Sequence, residues 1–229
     1  METLRPIQHK GPNLGWLAIL FMVLFCTGLS FVISFSNNLP HYPRPWEPAS
    51  VIVPFFQNHS HDVLLLYFFQ FCSAIPLGIF TATVVSRISF LGSTAAGNHI
   101  ALFGGFLTTF NIVLSSLIGW VMAIPQIAAN TNIIHTLYYI SFAIGGVGYS
   151  VPLGLLIAGI SVQSWFMKTL PNWLVVWGIV LALIGELSSL NLLWPQLIYL
   201  IPLTRFPGFI WMILVGIKMP KVKATPGSL

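Results

Sequence analysis

Two ionisable residues, Glu186 and Arg205, stand inside apolar runs of the sequence. Each costs roughly 2.5–3.5 kcal/mol at the centre of a transmembrane helix, so each needs a partner. A short turn at residues 194–197 separates the two runs, and both residues lie the same number of positions from it. The sequence therefore predicts an intramembrane ion pair. A structural clasp between neighbouring helices is its favoured role, and a proton relay or a ligand anchor is the alternative.

Several neutral polar side chains fall at a similar predicted depth in other apolar runs. They are Gln70, Asn111, Ser188, Ser189 and Asn191. If they converge on one space, they line an outward-facing cavity that can hold a small molecule or a lipid. Hydrogen bonds between helices are the simpler role, and these are common in membrane bundles.

The histidines are the second group with chemical potential. His59, His61 and Asp62 are close in sequence, and His135 falls on the same predicted side of the membrane. Imidazole and carboxylate ligands suit zinc or copper, so these four residues are candidate metal ligands. The same run is also typical of a solvated loop that caps a helix, with Asp62 near the positive helix end, and the sequence favours this role. The sequence does not require a cofactor, and it does not identify one.

The composition of the chain shows which solvent surrounds these residues. The 229 residues are 56% hydrophobic and only 6% charged, whereas a soluble domain carries roughly 25% charged residues. This composition predicts an integral protein of the plasma membrane or bacterial inner membrane, with the lipid bilayer as its main partner. The net charge of +5 does not indicate nucleic-acid binding, because the basic residues fall singly between apolar runs.

The predicted fold is all-α: a single transmembrane domain of six helices. Closed β-barrels are excluded because the apolar runs show no alternation of polar and apolar residues. An extracytoplasmic loop at 36–62 and a flexible tail at 220–229 complete the chain, and apolar residues 51–56 are expected to lie on the membrane surface or to fold back over the helices. The six helices are predicted at residues 14–35, 63–85, 100–124, 133–161, 174–193 and 198–217.

The basic residues predict the orientation, since cytoplasmic loops are enriched in lysine and arginine. Arg44 alone falls in a loop on the opposite side. The sequence therefore predicts that both termini are cytoplasmic. The residues on that side are Arg5, Lys10, Arg87, Lys168, Lys218, Lys221 and Lys223.

A short motif occurs twice, once in the second predicted helix around Pro76 and once in the fourth around Pro152. Helices 2 and 3 are therefore candidates for a repeat of helices 4 and 5, and chance similarity between apolar helices explains the motif equally well. In either case the two prolines are expected to loosen their helices and free carbonyl groups that a cavity could use.

The last third of the chain carries the residues 170–178, Pro202 and 211–216 in a characteristic order. Here the sequence resembles the bacterial membrane family known as domain of unknown function 4386. The resemblance covers predicted helices 5 and 6, and the upstream helices match in number, length and apolar character. It implies a helical bundle in a bacterial inner membrane, and it implies no particular chemistry.

Three functions follow from these residues as alternatives. The first is a non-enzymatic bundle that binds a small molecule or a lipid, as a transporter-like protein, a sensor or an accessory subunit. The second is an intramembrane metal-dependent or redox enzyme that uses the outer histidines. The third is a scaffold whose apolar faces contact a partner membrane protein. A homodimer would give a transporter-like protein the two bundles that such proteins commonly have.

Overall fold

The structure is a computed structural model that describes residues 7–33 and 41–223. It is all-helical, with 81% helix and no strand in the described ranges, which confirms the all-α part of the predicted fold class. The predicted end of the first helix at Phe35, the start of the predicted loop at residues 36–40 and the tail residues 224–229 lie outside the described residues.

Five helical segments are long and apolar enough to cross a membrane: Ser60–Leu91, Gly97–Met122, Thr131–Met167, Asn172–Leu192 and Pro195–Lys218. A further apolar helix of 17 residues, Leu14–Ser30, is shorter. Two 3₁₀ helices, Ser188–Leu192 and Pro195–Tyr199, form the turn that follows the helix Asn172–Leu187. The α-helices are α1 (Leu14–Ser30), α2 (Ala49–Asn58), α3 (Ser60–Leu91), α4 (Gly97–Met122), α5 (Pro125–Ala128), α6 (Thr131–Gly145), α7 (Val147–Met167), α8 (Asn172–Leu187) and α9 (Leu200–Lys218).

The segment predicted as one helix at 133–161 is two consecutive helices, α6 and α7, that are interrupted at Gly146. The backbone there has φ −91° and ψ −93°, which is outside the helical region. Glycine adopts such a conformation without the steric cost that a side chain would add. The interruption ends α6 and starts α7 beside a cavity in the bundle.

Six helices form a closed ring in which each packs against the next. The order is α1, α3, α4, α7, α8 and α9, and α9 returns to α1. The ring encloses an aromatic and aliphatic core, and α6 packs against α4 beside it. The aromatic rings of Phe21 on α1 and Phe209 on α9 have centroids 5.0 Å apart. The first and last helices of the bundle therefore share the same core.

The bundle has two distinct ends. At the first, the segment before α1 pairs with the segment after α9: the His9 N–H donates to the Lys221 carbonyl at 2.8 Å. Arg87, near the end of α3, also lies there and donates to the Pro12 carbonyl at 3.4 Å. We call this the terminal end. The opposite end, where α2 lies, is called the loop end.

The helix α2 covers the loop end. Residues 51–56 therefore fold back over the bundle, which is one of the two arrangements predicted for them. The Tyr138 hydroxyl on α6 donates to the Pro43 carbonyl at 2.5 Å and ties the preceding loop to the same place. The apolar side of α2, formed by Ile52, Val53, Phe55 and Phe56, is buried with residues of α3, α5 and α6 that include Val63, Leu66, Tyr67, Ala128, Ile134 and Tyr138.

Candidate functional site

A cavity of about 200 Å³ lies at the loop end of the bundle, between α1, α3, α4, α6 and α9. Most of its wall is aliphatic or aromatic. Its polar side chains come from four different helices and from the loop that precedes α2. They are Arg205 on α9, Gln70 and Tyr67 on α3, Ser115 on α4, Tyr138 and Ser141 on α6, and Tyr42 in the loop.

The interruption between α6 and α7 explains why backbone groups are accessible beside this cavity. Gly145 is the last residue of α6, and carbonyls at a helix end lack partners within their own helix. Pro152 has no N–H, so the Gly148 carbonyl of α7 also loses its usual donor. Asn111 on α4 donates its side-chain amide to Gly148, and Arg205 donates Nη2 to Gly145. Both side chains therefore compensate for breaks in the helical backbone.

Arg205 is held from three sides. Its guanidinium lies 4.4 Å from the centroid of the Tyr149 ring and 5.2 Å from that of Phe25, which are favourable positions for a cation. The Nη2 group is bonded to Gly145, whereas Nε is buried and has no hydrogen-bond partner among the described residues. The side chain is half-buried and forms part of the cavity wall.

The structure does not bring the predicted partners Glu186 and Arg205 together: no guanidinium nitrogen of Arg205 lies within 4.0 Å of the Glu186 carboxylate in the described residues. Arg205 points towards α6 and α1. Glu186 lies against Gly154 of α7, where a β-carbon at that glycine would be 3.2 Å from Oε1. Counting from the turn gives the depth of a residue but not its direction around the helix axis. The side chains of Glu186 and Arg205 point in different directions from their helices, and for this reason they do not meet.

The chain contains only four acidic residues, and none of those that the structure describes neutralises Arg205. Glu47 contacts His41 at 2.9 Å, and Asp62 contacts His59 at 3.5 Å. Glu186 packs on α7 as described. Glu2, which precedes α1, lies outside the described residues. Arg205 is therefore a cation without an acidic partner among the described residues.

A second cavity, of about 320 Å³, borders Arg205 from the other side. Its walls come from the loop at residues 42–46, from α6 and from the start of α9. Arg44 lies on its wall as an exposed side chain, with the guanidinium 6.0 Å from the centroid of the Trp46 ring. The two cavities share Tyr42, Tyr138, Phe142, Ile201 and Arg205.

Local hydrogen bonds shape the loop between the two cavities. The Glu47 carboxylate accepts from the His41 ring at 2.9 Å and from the Arg44 backbone N–H at 3.0 Å. These bonds hold the pKa of Glu47 below its ordinary value. Burial raises the pKa of the Tyr42 hydroxyl, so that it stays protonated and able to donate. The loop thus presents one hydroxyl donor, Tyr42, and one cation, Arg44, to the cavities, and its carboxylate is occupied by His41 and the Arg44 backbone N–H.

The five predicted cavity residues are not brought together. Gln70 lies on the wall of the cavity beside Arg205, and Asn111 holds the Gly148 carbonyl. The other three do not line this cavity, because their side chains bond to the backbone near the end of α8. Ser188 donates to Gly185 at 2.6 Å, Ser189 to Glu186 at 2.7 Å, and Asn191 to Pro195 at 3.1 Å.

The predicted metal ligands also separate. His59 Nδ1 lies 3.5 Å and His61 Nδ1 lies 4.0 Å from oxygens of Asp62, at the start of α3. His135 packs edge-on against Tyr139, with ring centroids 5.4 Å apart. Within the described residues, no group of three or more histidine, cysteine, aspartate or glutamate side chains is arranged to hold a metal ion. Asp62 stands in the first turn of α3, where a negative charge stabilises the helix.

Sequence reasoning did not identify the cavity residues of α6. Tyr138, Ser141, Phe142 and Gly145 follow an i, i+3, i+4, i+7 pattern, so that they lie on one side of the helix. That periodicity, which ends at two consecutive glycines, was the available signal. Its apolar surroundings make it resemble an ordinary helix-packing face.

Comparison of the chain with protein-family models, with curated proteins and with solved structures gave no significant match. The geometry around Arg205 is therefore the basis for a functional assignment.

Proposed function

We propose that this chain is an integral membrane protein that binds a small molecule or a lipid in the cavity beside Arg205, as a transporter-like, sensor or accessory subunit. The observation that carries this proposal is the Arg205 guanidinium, which borders two cavities and has no carboxylate within ion-pair distance among the described residues. Ionisable residues inside membrane segments commonly mark substrate or ion pathways.

Capping of α6 does not by itself account for an arginine at this position. A guanidinium has five N–H donors, and the Gly145 carbonyl uses one group, Nη2. A neutral amide such as the one on Asn111 caps a free carbonyl at Gly148 without bringing a charge into an apolar region. The additional charge of Arg205, which costs roughly 2.5–3.5 kcal/mol in a membrane, is explained if a ligand uses it.

We further propose that α1 and the five longer segments all cross the cell membrane, with the terminal end in the cytoplasm. The 17 residues of α1 are at the short end of the range for a spanning helix. Arg87 and Lys221 lie at the terminal end, and cytoplasmic loops are enriched in such residues. We propose a bacterial inner membrane as the location, as the resemblance noted in the sequence of α8 and α9 implies.

Cysteine labelling tests the orientation. Cys26 and Cys72 are first replaced by alanine, and one cysteine is then introduced at Thr94, between α3 and α4, or at Ser50 in α2; both positions are exposed. A membrane-impermeant maleimide added to intact cells should label Ser50→Cys and leave Thr94→Cys unlabelled until the cells are opened. Labelling of both positions in intact cells would contradict the proposed topology.

Binding is tested by filling the cavity. Ser141 is buried on the cavity side of α6, and Thr136 is exposed on the same helix. The wild-type protein, Ser141→Phe and the matched control Thr136→Phe are each incubated with total lipid extract of the expression host and analysed by native mass spectrometry. Wild type and Thr136→Phe should retain a bound molecule that Ser141→Phe lacks. Equal retention by all three proteins would contradict binding in this cavity.

A further inference from the structure

We infer that the ligand of the Arg205 cavity is an anionic amphiphile, with a carboxylate or phosphate head group at Arg205 and an apolar body along the cavity walls. This inference rests on the proposed function and specifies the chemical class of the ligand. It follows from the donors that face the cavity, from the distribution of charge around both cavities and from the apolar character of the walls.

The donors that remain available require an acceptor. Three of the five hydroxyl side chains that line the cavity already donate to backbone carbonyls: Ser115 to Ile112, Ser141 to Ser115 and Tyr138 to Pro43. Gln70, in contrast, donates no side-chain hydrogen bond to a described residue, and the Arg205 guanidinium donates to only one of them, through Nη2 to the Gly145 carbonyl. A carboxylate or phosphate accepts from both groups, and hydrogen bonds between charged groups are the stronger kind.

The charge distribution selects an anion. Neither cavity has an aspartate or glutamate among the described residues that line it, whereas Arg205 borders both and Arg44 lies on the second. Arg44 is exposed, so it can attract an anion from the aqueous side towards the buried arginine. A cationic ligand would have to approach two guanidinium groups without a compensating carboxylate.

The walls select a ligand with an apolar body. In the first cavity, aliphatic side chains from α1, α3 and α9 surround the polar groups; in the second, prolines and aromatic rings do so. The volumes of about 200 and 320 Å³ together lie in the range of sites for small organic ligands. Free phosphate would leave these apolar surfaces in contact with water. The apolar wall residues of the first cavity include Leu29, Val32, Ile33, Leu66, Phe142 and Ile201.

The test measures binding of radiolabelled probes to the protein in nanodiscs of zwitterionic phosphatidylcholine, with empty nanodiscs as the background. The probes are decanoate, decyl phosphate, decanol, decylammonium and inorganic phosphate. Decanoate and decyl phosphate should bind one molecule per chain above background. Decanol, decylammonium and inorganic phosphate should bind at least about tenfold more weakly, because each lacks either the charge of the head group or the apolar body.

Variants locate the bound head group. Arg205→Gln should weaken decanoate binding by about 10- to 100-fold, since it removes a charged donor. Arg205→Lys keeps the charge and should recover part of this loss, and Gln70→Leu should weaken binding less. Arg44→Gln should slow association and reduce its dependence on salt, with little change in dissociation.

Arg205 also holds Gly145, so the Tm of each variant is measured first. If Arg205→Gln does not fold, Arg205→Lys and Gln70→Leu carry the test.

The outcomes separate the inference from the proposed function. Equal binding of decanol and decanoate, unchanged in Arg205→Gln, overturns the anionic head group and leaves cavity binding intact. Binding of inorganic phosphate as strong as that of decyl phosphate overturns the apolar body. If no probe binds, the inference fails. If Ser141→Phe also retains the same lipids as wild type, the proposed function fails with it.

Discussion

The two ends of the bundle differ in the space that their helices leave. Glycines bring helices into contact at both ends: towards the terminal end, a β-carbon at Gly216 would lie 2.5 Å from the Gly15 nitrogen and one at Gly159 would lie 2.6 Å from the Gly97 carbonyl oxygen, and towards the loop end one at Gly28 would lie 2.8 Å from the Leu66 carbonyl oxygen. Towards the loop end, however, the chain also breaks at Gly146 and leaves cavities of about 200 and 320 Å³ around Arg205. The close-packed end fixes the positions of the helices, and the open end is where a ligand can be accommodated.

The largest effect is expected from disturbing the close-packed end. Gly159→Ala places a β-carbon 2.7 Å from the Ala101 nitrogen and close to the Gly97 carbonyl, where backbone cannot easily yield. We expect the free energy of unfolding to fall by about 3 kcal/mol, as for strongly overpacked cores. Reversible unfolding in mixed micelles with increasing dodecyl sulfate measures this change.

Gly78→Ala is the matched control, because its β-carbon would meet Thr109 at an ordinary 3.5 Å. It should leave stability unchanged or slightly higher, since alanine is the better helix former. Wild-type stability of Gly159→Ala would contradict the described contact between α4 and α7.

At the open end, the side chain that compensates for Pro152 should have a smaller effect. Asn111→Leu leaves the Gly148 carbonyl without its donor. We expect a loss of about 1 kcal/mol, the size typical of hydrogen bonds between membrane helices. The same unfolding assay measures it. Thr109→Val serves as a control, because the Thr109 hydroxyl donates only within its own helix, to Gly105 at 2.8 Å. Equal effects of both variants would argue against the role assigned to Asn111.

A double-mutant cycle tests whether Glu186 and Arg205 act separately. The coupling energy between Glu186→Gln and Arg205→Gln should stay below about 0.5 kcal/mol, as for residues without contact. The cycle of Arg205→Gln with Tyr149→Leu should give a larger coupling, because the guanidinium lies 4.4 Å from that ring. If the coupling energy of Arg205 with Glu186 is larger than that with Tyr149, the result would support the ion pair between Glu186 and Arg205.

The smallest effect concerns the loop between the cavities. The pKa of Glu47 is lowered by bonds from His41 and Arg44, so its contribution to stability is complete above its ordinary pKa of 4.5 and is lost as the pH falls through the lower folded value. Wild type should therefore have a slightly higher Tm than Glu47→Gln at neutral pH, and the difference should vanish in acid. A difference that grows in acid would contradict the assigned hydrogen bonds.

The sequence predicted the helical class and the approximate helix positions because membrane composition and the length of apolar runs constrain both strongly. It also indicated that Pro152 would free a carbonyl, although not that Asn111 would occupy it. It could not predict the partners of Glu186 and Arg205, since side-chain direction depends on the rotation of each helix within the bundle. The interruption at Gly146 was not predicted either, because the consecutive glycines were compatible with close packing as well.

The contact between α1 and α9 has a consequence for biogenesis. Phe25 of α1 packs against Phe209 of α9, with ring centroids 5.3 Å apart, yet the ribosome makes these two helices far apart in time. Until α9 emerges, the aromatic side of α1 must be sheltered by lipid, by the insertion machinery or by temporary neighbours. Ring closure joins the most distant parts of the chain, so it should be the slow step of maturation.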